Sequence, residues 1–228
     1  MPEMFVEETR DAHRYQRRRH RRVNADRMPA RVDTGACLSK EITMVLDMQN
    51  HSLVTYVRSH VRFGDIKSGQ EIRSETLNRI EKTFLLLPDD ALEAFLSGER
   101  NLTILIVPDL DIPYGMATTS TGPPAARKYT ITAHAENLEW PEDLFIGALL
   151  RELAHVVARR PPENEWPQAR GDRARYKERL EYVADAMVWR WGLRHYSIRH
   201  LTATYPEHWV ERIIEEIEKV VLEDKERY

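Results

Sequence analysis

Leu149-Leu150-Arg151-Glu152-Leu153-Ala154-His155 is the stretch on which the reading of this chain turns. Successive residues of a helix are rotated by about 100°, which gathers Arg151, Glu152, His155 and Arg159 into one sector. Ile146, Leu149, Leu150, Leu153, Val156 and Val157 fall on the opposite side, so the pattern predicts a helix with a core face and a chemical face. Pro141, Glu142 and Asp143 open it, because negative charge suits the end where backbone N–H groups are unpaired. The plain alternative for the polar side is a solvated helix face.

Outward from this helix, the upstream sequence is expected to alternate helices and short strands. A helix starts near Ser39 and carries Ile42, Val45, Leu46, Leu53, Val54 and Val57 on one face; Gly64 and Gly69 break it. Further helices are expected over about 70–87, stopped by Pro88, and over about 89–97, ended by Gly98. Leu102 to Val107 is β-branched and short, as a buried strand would be. Asp109 to Arg127 is rich in Pro, Gly, Thr and Ser and reads as a loop. Tyr129 to Ala133 alternates and reads as a strand at the edge of a sheet. Downstream, a charged loop from Pro161 to about Arg175 precedes a helix over about 177–191, which places Glu181 and Asp185 one turn apart. Ser197 to Thr204 is expected to form a short helix without evident chemistry, and about 207–224 a last helix with Trp209, Val210, Ile213, Ile217 and Val220 on its apolar stripe.

The 228 residues suffice for one domain with a substantial core, and a charged fraction of 31% beside a hydrophobic fraction of 42% is that of a globular chain. No apolar run is long enough for a membrane-spanning helix, and no signal-peptide pattern opens the chain, so a cytoplasmic protein with no membrane partner is expected. Cys37 is the only cysteine, which excludes an internal disulfide and any metal site built on several thiolates. Residues 1–37 read as a basic, flexible tail and 38–228 as a single domain. Within the tail, residues 10–31 hold nine arginines against Asp11 and Asp26, and Arg17 to Arg22 form a cluster suited to phosphates, so nucleic acid is one candidate partner.

Zinc hydrolysis needs three protein ligands, an open position for water and a carboxylate to take the water's proton. A histidine pair at i and i+4, with a glutamate after the first, meets part of that need from one helix face. Here Glu152 and His155 are present, but Arg151 stands where the first histidine would be. Glu181 is a candidate third ligand and Asp185 a candidate acid that orients a ligand histidine.

The order of a strand, a Thr/Gly loop, another strand, a helix reading RELAH and a later helix reading Glu181-Tyr182-Val183-Ala184-Asp185-Ala186 resembles the gluzincin metallopeptidases. Those families carry HExxH followed by ExxxD or ExxAD, and include the ImmA/IrrE-like group. The resemblance spans roughly residues 75–192 and implies an α+β, zincin-like fold: a small mixed sheet packed on the site helix, mostly helical elsewhere. It implies that Glu152 matches the general base, His155 and Glu181 metal ligands, Asp185 the supporting acid, and Tyr129 to Ala133 the strand along which a peptide lies. Arg151 departs from the pattern. A guanidinium has no lone pair for a metal and repels a dication, but its planar fork suits carboxylates. It is therefore expected near the vacated metal position, paired with Glu181, Asp185 or both.

Three functions follow as expectations. The first is a non-catalytic module that holds a peptide or protein in the cleft beside strand 128–133 and needs no cofactor. The second is a zinc-dependent peptidase using Glu152 as base with an altered ligand set, to which His134, His195 or His200 could contribute. The third is a nucleic-acid-associated protein acting through its Arg-rich tail. The site residues common to the first two are Arg151 and Glu152 at the centre, with His155, Glu181 and Asp185 as the ligands of any metal.

Overall fold

The computed structural model describes residues 51–64, 70–108 and 115–225. The basic tail, Cys37 and the helix start at Ser39 lie outside the described residues. Residues 51–60 are helical (α1) and run straight into a short strand, β1 (Val61–Phe63). Then come α2 (Gln70–Phe84), α3 (Asp89–Leu96), β2 (Asn101–Val107), β3 (Met116–Thr121), β4 (Lys128–His134), α4 (Glu142–Val157), α5 (Arg170–Arg190), α6 (Arg194–Thr204) and α7 (Glu207–Lys225). The protein is mixed α+β and mostly helical, with one small mixed sheet. Among the described residues no helix is long and apolar enough to cross a membrane.

The sheet order is β1-β2-β4-β3. β1, β2 and β4 are parallel, and β3 runs antiparallel to β4 with Thr118 opposite Ile131. This corrects two expectations. Tyr129 to Ala133 is not an edge strand: β4 is bonded on both sides, and its Tyr129, Ile131 and Ala133 are buried. The edge on that side of the sheet is β3, inside the Thr- and Ser-rich stretch read as loop. Short polar β-branched residues gave it no strong alternation of apolar side chains, yet Met116, Thr118 and Ser120 alternate inward. β1 was also missed, being only three residues long and abutting a helix.

Along β3 the backbone pairing can be followed from its end. The His134 N–H donates to the Gly115 carbonyl at 2.9 Å, so Gly115 and His134 form a hydrogen-bonded pair. Antiparallel pairing alternates, which turns the N–H and C=O groups of Met116, Thr118 and Ser120 away from β4. β3 has no second strand neighbour among the described residues to take them.

One hydrophobic cluster joins the sheet to α1, α2, α3 and α4, with Ile80, Phe84, Phe95, Leu102, Ile106, Ile131, Phe145, Leu149, Leu150 and Leu153 almost fully buried. A second links α5, α6 and α7 through Ala186, Leu201, Val210, Ile213, Ile217 and Val220. α4 is the hinge of this arrangement, because it packs on the sheet, on α2, on α5 and on α6. Consequently every residue from Leu144 to Val156 is buried, and there is no solvated face. The closest approach is to α6: a Cβ at Gly147 would lie 2.4 Å from the Tyr196 carbonyl oxygen. α5 starts at Arg170, earlier than expected, and shortens the preceding loop.

Candidate functional site

α4 and α5 each contribute a pair of residues one turn apart, Arg151 with His155 and Glu181 with Asp185, and the two pairs face each other. The Arg151 guanidinium spans both acids: Nε donates to Asp185 Oδ2 at 3.0 Å, and Nη2 lies 3.0 Å from Glu181 Oε2. Arg151 and Asp185 are buried, at 5% and 1% exposure. The second Asp185 oxygen accepts from the Ser197 hydroxyl at 2.9 Å, so α6 completes the acid's coordination.

Glu181 is equally committed. Its Oε2 also meets His155 Nε2 at 3.0 Å, and its Oε1 accepts from Arg160 Nη1 at 3.1 Å. Arg160 Nη1 lies 3.2 Å from the same His155 nitrogen. One ring nitrogen cannot donate to a carboxylate and accept from a guanidinium at once. A proton on Nε2 directed at the charged Glu181 oxygen gives the stronger bond, and Arg160 then spends its Nη1 hydrogen on Oε1.

Burial opposes the charged form of Glu181, but His155, Arg151 and Arg160 outweigh it and hold the carboxyl well below its usual range. For Asp185 burial prevails and raises the carboxyl, with Arg151 and Ser197 pulling the other way. Burial of Arg151 is outweighed by Asp185 and Glu181, which lift the guanidinium well above its ordinary value. A guanidinium keeps its proton in proteins, so Arg151 is the fixed positive charge of the site and Glu181, held low, is its ionised partner.

Glu152 is the exception in this network. It is 5% exposed, its Oε2 is sealed from solvent, and that oxygen has no hydrogen-bond partner. Its backbone carbonyl accepts from the Thr118 hydroxyl at 3.2 Å, which fixes it against the inner face of β3. The Ser120 hydroxyl makes the matching contact one step along, to the Arg160 carbonyl at 2.9 Å. At that end of β3 a surface groove of about 600 Å³ is lined by residues 120–123 and 162–165.

Arg160 was not expected in the site, and the way α4 ends explains how it gets there. The Arg160 N–H bonds to the His155 carbonyl and the Arg159 N–H to the Val156 carbonyl. These are the two bonds of a Schellman motif. Arg159 occupies its left-handed position, with φ 57°, where glycine is usual. The turn swings Arg159 out to Glu99, at 2.9 Å, so it does not share the buried face of Arg151, Glu152 and His155. It also brings Arg160 back over His155, with its guanidinium stacked 5.3 Å from the Trp166 ring.

The histidines weighed as substitute ligands separate clearly. His134 caps a short 3-10 turn through Nδ1, and His195 is exposed on α6 beside Tyr196. His200 is buried at 3%, lacks a partner at Nδ1, and is held at a pKa of about 3 by burial and by the charge of Arg151.

The zinc ion implied by the resemblance does not fit these side chains. His155 and Glu181 face each other directly, both Asp185 oxygens are bonded, and two guanidinium groups converge on Glu181. A dication there would meet Arg151 and Arg160 before it met a third ligand. Among the described residues no group of three or more His, Cys, Asp or Glu side chains is placed to hold a metal. No family model, curated protein or solved structure matches this chain.

Proposed function

We propose that this protein is a non-catalytic peptide- or protein-binding module of zincin type, in which an internal ion pair stands at the position the resemblance gives to a metal. The observation that carries this reading is Arg151 bridging Glu181 and Asp185. It supplies positive charge at the centre of the site without a Lewis acid or an activated water. The occupant would lie along β3, in place of the strand 128–133 first considered. Support for that placement comes from the outward backbone groups of Met116, Thr118 and Ser120 and from the groove at the strand's end. Strand addition to such an edge takes its affinity from main-chain hydrogen bonds and its selectivity from alternate side chains.

Panning a displayed random peptide library against the full-length protein in EDTA tests the reading. Peptides should enrich, bind equally with and without the chelator, remain uncleaved by mass spectrometry, and weaken in Ser120→Pro. Proline there removes an outward N–H while sparing the β4 ladder. Zinc-dependent binding, cleavage of bound peptides, or no enrichment would each refute it.

A further inference from the structure

We infer that Arg100, Arg127 and Arg159 form an anion site that takes a phosphate monoester. The inference is independent of the binding-module reading.

Strand register sets two of the three side by side. Arg100 precedes β2 and Arg127 precedes β4, and these neighbouring parallel strands pair Asn101 with Lys128, so the two chains enter the sheet about 5 Å apart. The left-handed turn at Arg159 supplies the third guanidinium. Its Nη2 donates to Glu99 Oε1 at 2.9 Å, the same oxygen that accepts from Arg100 Nη1, while the Arg159 carbonyl accepts from Arg127 Nη1 at 3.3 Å. All three charges act on the Tyr129 hydroxyl, whose pKa burial raises and Arg127, Arg100 and Arg159 pull back.

Among the described residues two carboxylates answer these three cations. Glu99 gives one oxygen to Arg100 and Arg159 together, and Glu165 gives both of its oxygens to Arg127 Nη2. One positive charge is left over. Neighbouring groups do not remove it: Glu163 is bonded to Arg173, Arg160 is turned to Glu181, and exposed Lys128 beside Arg127 has no acidic partner among the described residues. The Nε hydrogens of Arg100 and Arg127 are sealed from solvent without an acceptor, so both guanidinium groups are under-satisfied. A ligand meets the Nη edges instead. Those edges are reachable, because the acids resting on them, Glu99 and Glu165, are 54% and 39% exposed.

A third carboxylate would only repeat what Glu99 and Glu165 supply, and neither of them spans the cluster. A phosphate monoester carries up to two charges and three acceptor oxygens on one atom, which suits guanidinium groups converging from three directions. In displacing the exposed acids it would also cancel the surplus charge.

Calorimetric titration of the full-length protein with phenyl phosphate, with benzenesulfonate as a monoanion of similar shape, and with a short phosphoserine peptide tests the site. Wild type should bind one phenyl phosphate per chain, more weakly as pH falls below about 6, where the ester loses its second charge. Benzenesulfonate should bind about fivefold or more weakly. Arg159→Gly, an exposed position at which glycine suits the backbone, should weaken phenyl phosphate binding about fivefold without lowering the melting temperature. Glu165→Gln should strengthen it, since a competing carboxylate is gone; an ion-pair network with a structural role alone gives no such gain. Tighter binding of the phosphopeptide than of phenyl phosphate identifies a phosphorylated chain in the groove that Glu165 borders, and equal or weaker binding identifies a small phosphate ester. No saturable binding of phenyl phosphate, equal binding of benzenesulfonate, or an affinity unmoved by either substitution would overturn the site.

Discussion

Arg151 Nε and Asp185 Oδ2 lie 3.0 Å apart, with both residues almost wholly buried, and the remaining Asp185 oxygen is taken by Ser197. An ion pair this deep contributes little net stability once desolvation is counted, but breaking it from one side leaves a bare buried charge. Arg151→Met should therefore cost about 3–5 kcal/mol. In a protein of this size that lowers the melting temperature by roughly 6–20 °C. Adding Asp185→Leu and Glu181→Leu to Arg151→Met should restore much of the loss. Denaturant titration of the two variants checks both signs, and equal destabilisation by each would refute the pairing.

Glu152 should respond far less. Its Oε2 is buried without a hydrogen-bond donor, while the Arg151 guanidinium is coupled to its charge, so Glu152→Gln leaves the Arg151 bridge intact and should stay within about 1 kcal/mol of wild type. A marked loss of stability in Glu152→Gln would show that the carboxylate has a stabilising partner.

His200 makes stability depend on pH. Its folded-state pKa is near 3 against an ordinary 6.5, so the unfolded chain takes the proton first. The stability tied to the neutral imidazole is complete above pH 6.5 and is lost as pH falls toward 3, at up to about 1.4 kcal/mol per pH unit. Glu181, with its carboxyl held low, adds to the loss only below about 4.5, and Asp185, whose carboxyl burial raises, contributes with the opposite sign, so in the window from 6.5 to 5 it is the difference between wild type and His200→Gln that isolates the histidine. Unfolding free energies across that window should slope in wild type and flatten in His200→Gln. Identical slopes would remove His200 from the account.

Two backbone positions give predictions of contrary sign. Gly147→Ala would drive a Cβ to 2.4 Å from the Tyr196 carbonyl and force α4 from α6, costing roughly 1–3 kcal/mol. Arg159→Gly should relieve a left-handed non-glycine residue worth about 1–2 kcal/mol. Against that stands only its exposed pair with Glu99, so a small net gain in melting temperature is expected.

The helices were legible in the sequence because Phe84, Leu149 and Leu153 follow the period that core packing imposes. The meeting of Arg151 with Glu181 and Asp185 was legible for a related reason: two pairs at i and i+4 can face each other from neighbouring helices. The sheet edge was not, since the threonines and serine of β3 form a strand through pairing with β4 and through hydroxyl contacts to α4. Ser197 and Arg160 escaped notice because turns place them. One reaches Asp185 after the chain reverses at Gly192, the other reaches Glu181 after the reversal at Arg159. Neither reversal leaves a periodic trace.

The most direct measurement is zinc per chain, by mass spectrometry of metal content after dialysis of the full-length protein against zinc, with wild type beside Arg151→His. The ion pair at the centre of the site predicts no stoichiometric zinc in wild type. The substitution adds a ligand next to His155 and Glu181 and removes one of the two opposing guanidinium groups, leaving Arg160, and is expected to raise the zinc content toward one per chain. One zinc per chain in the wild type would contradict the account.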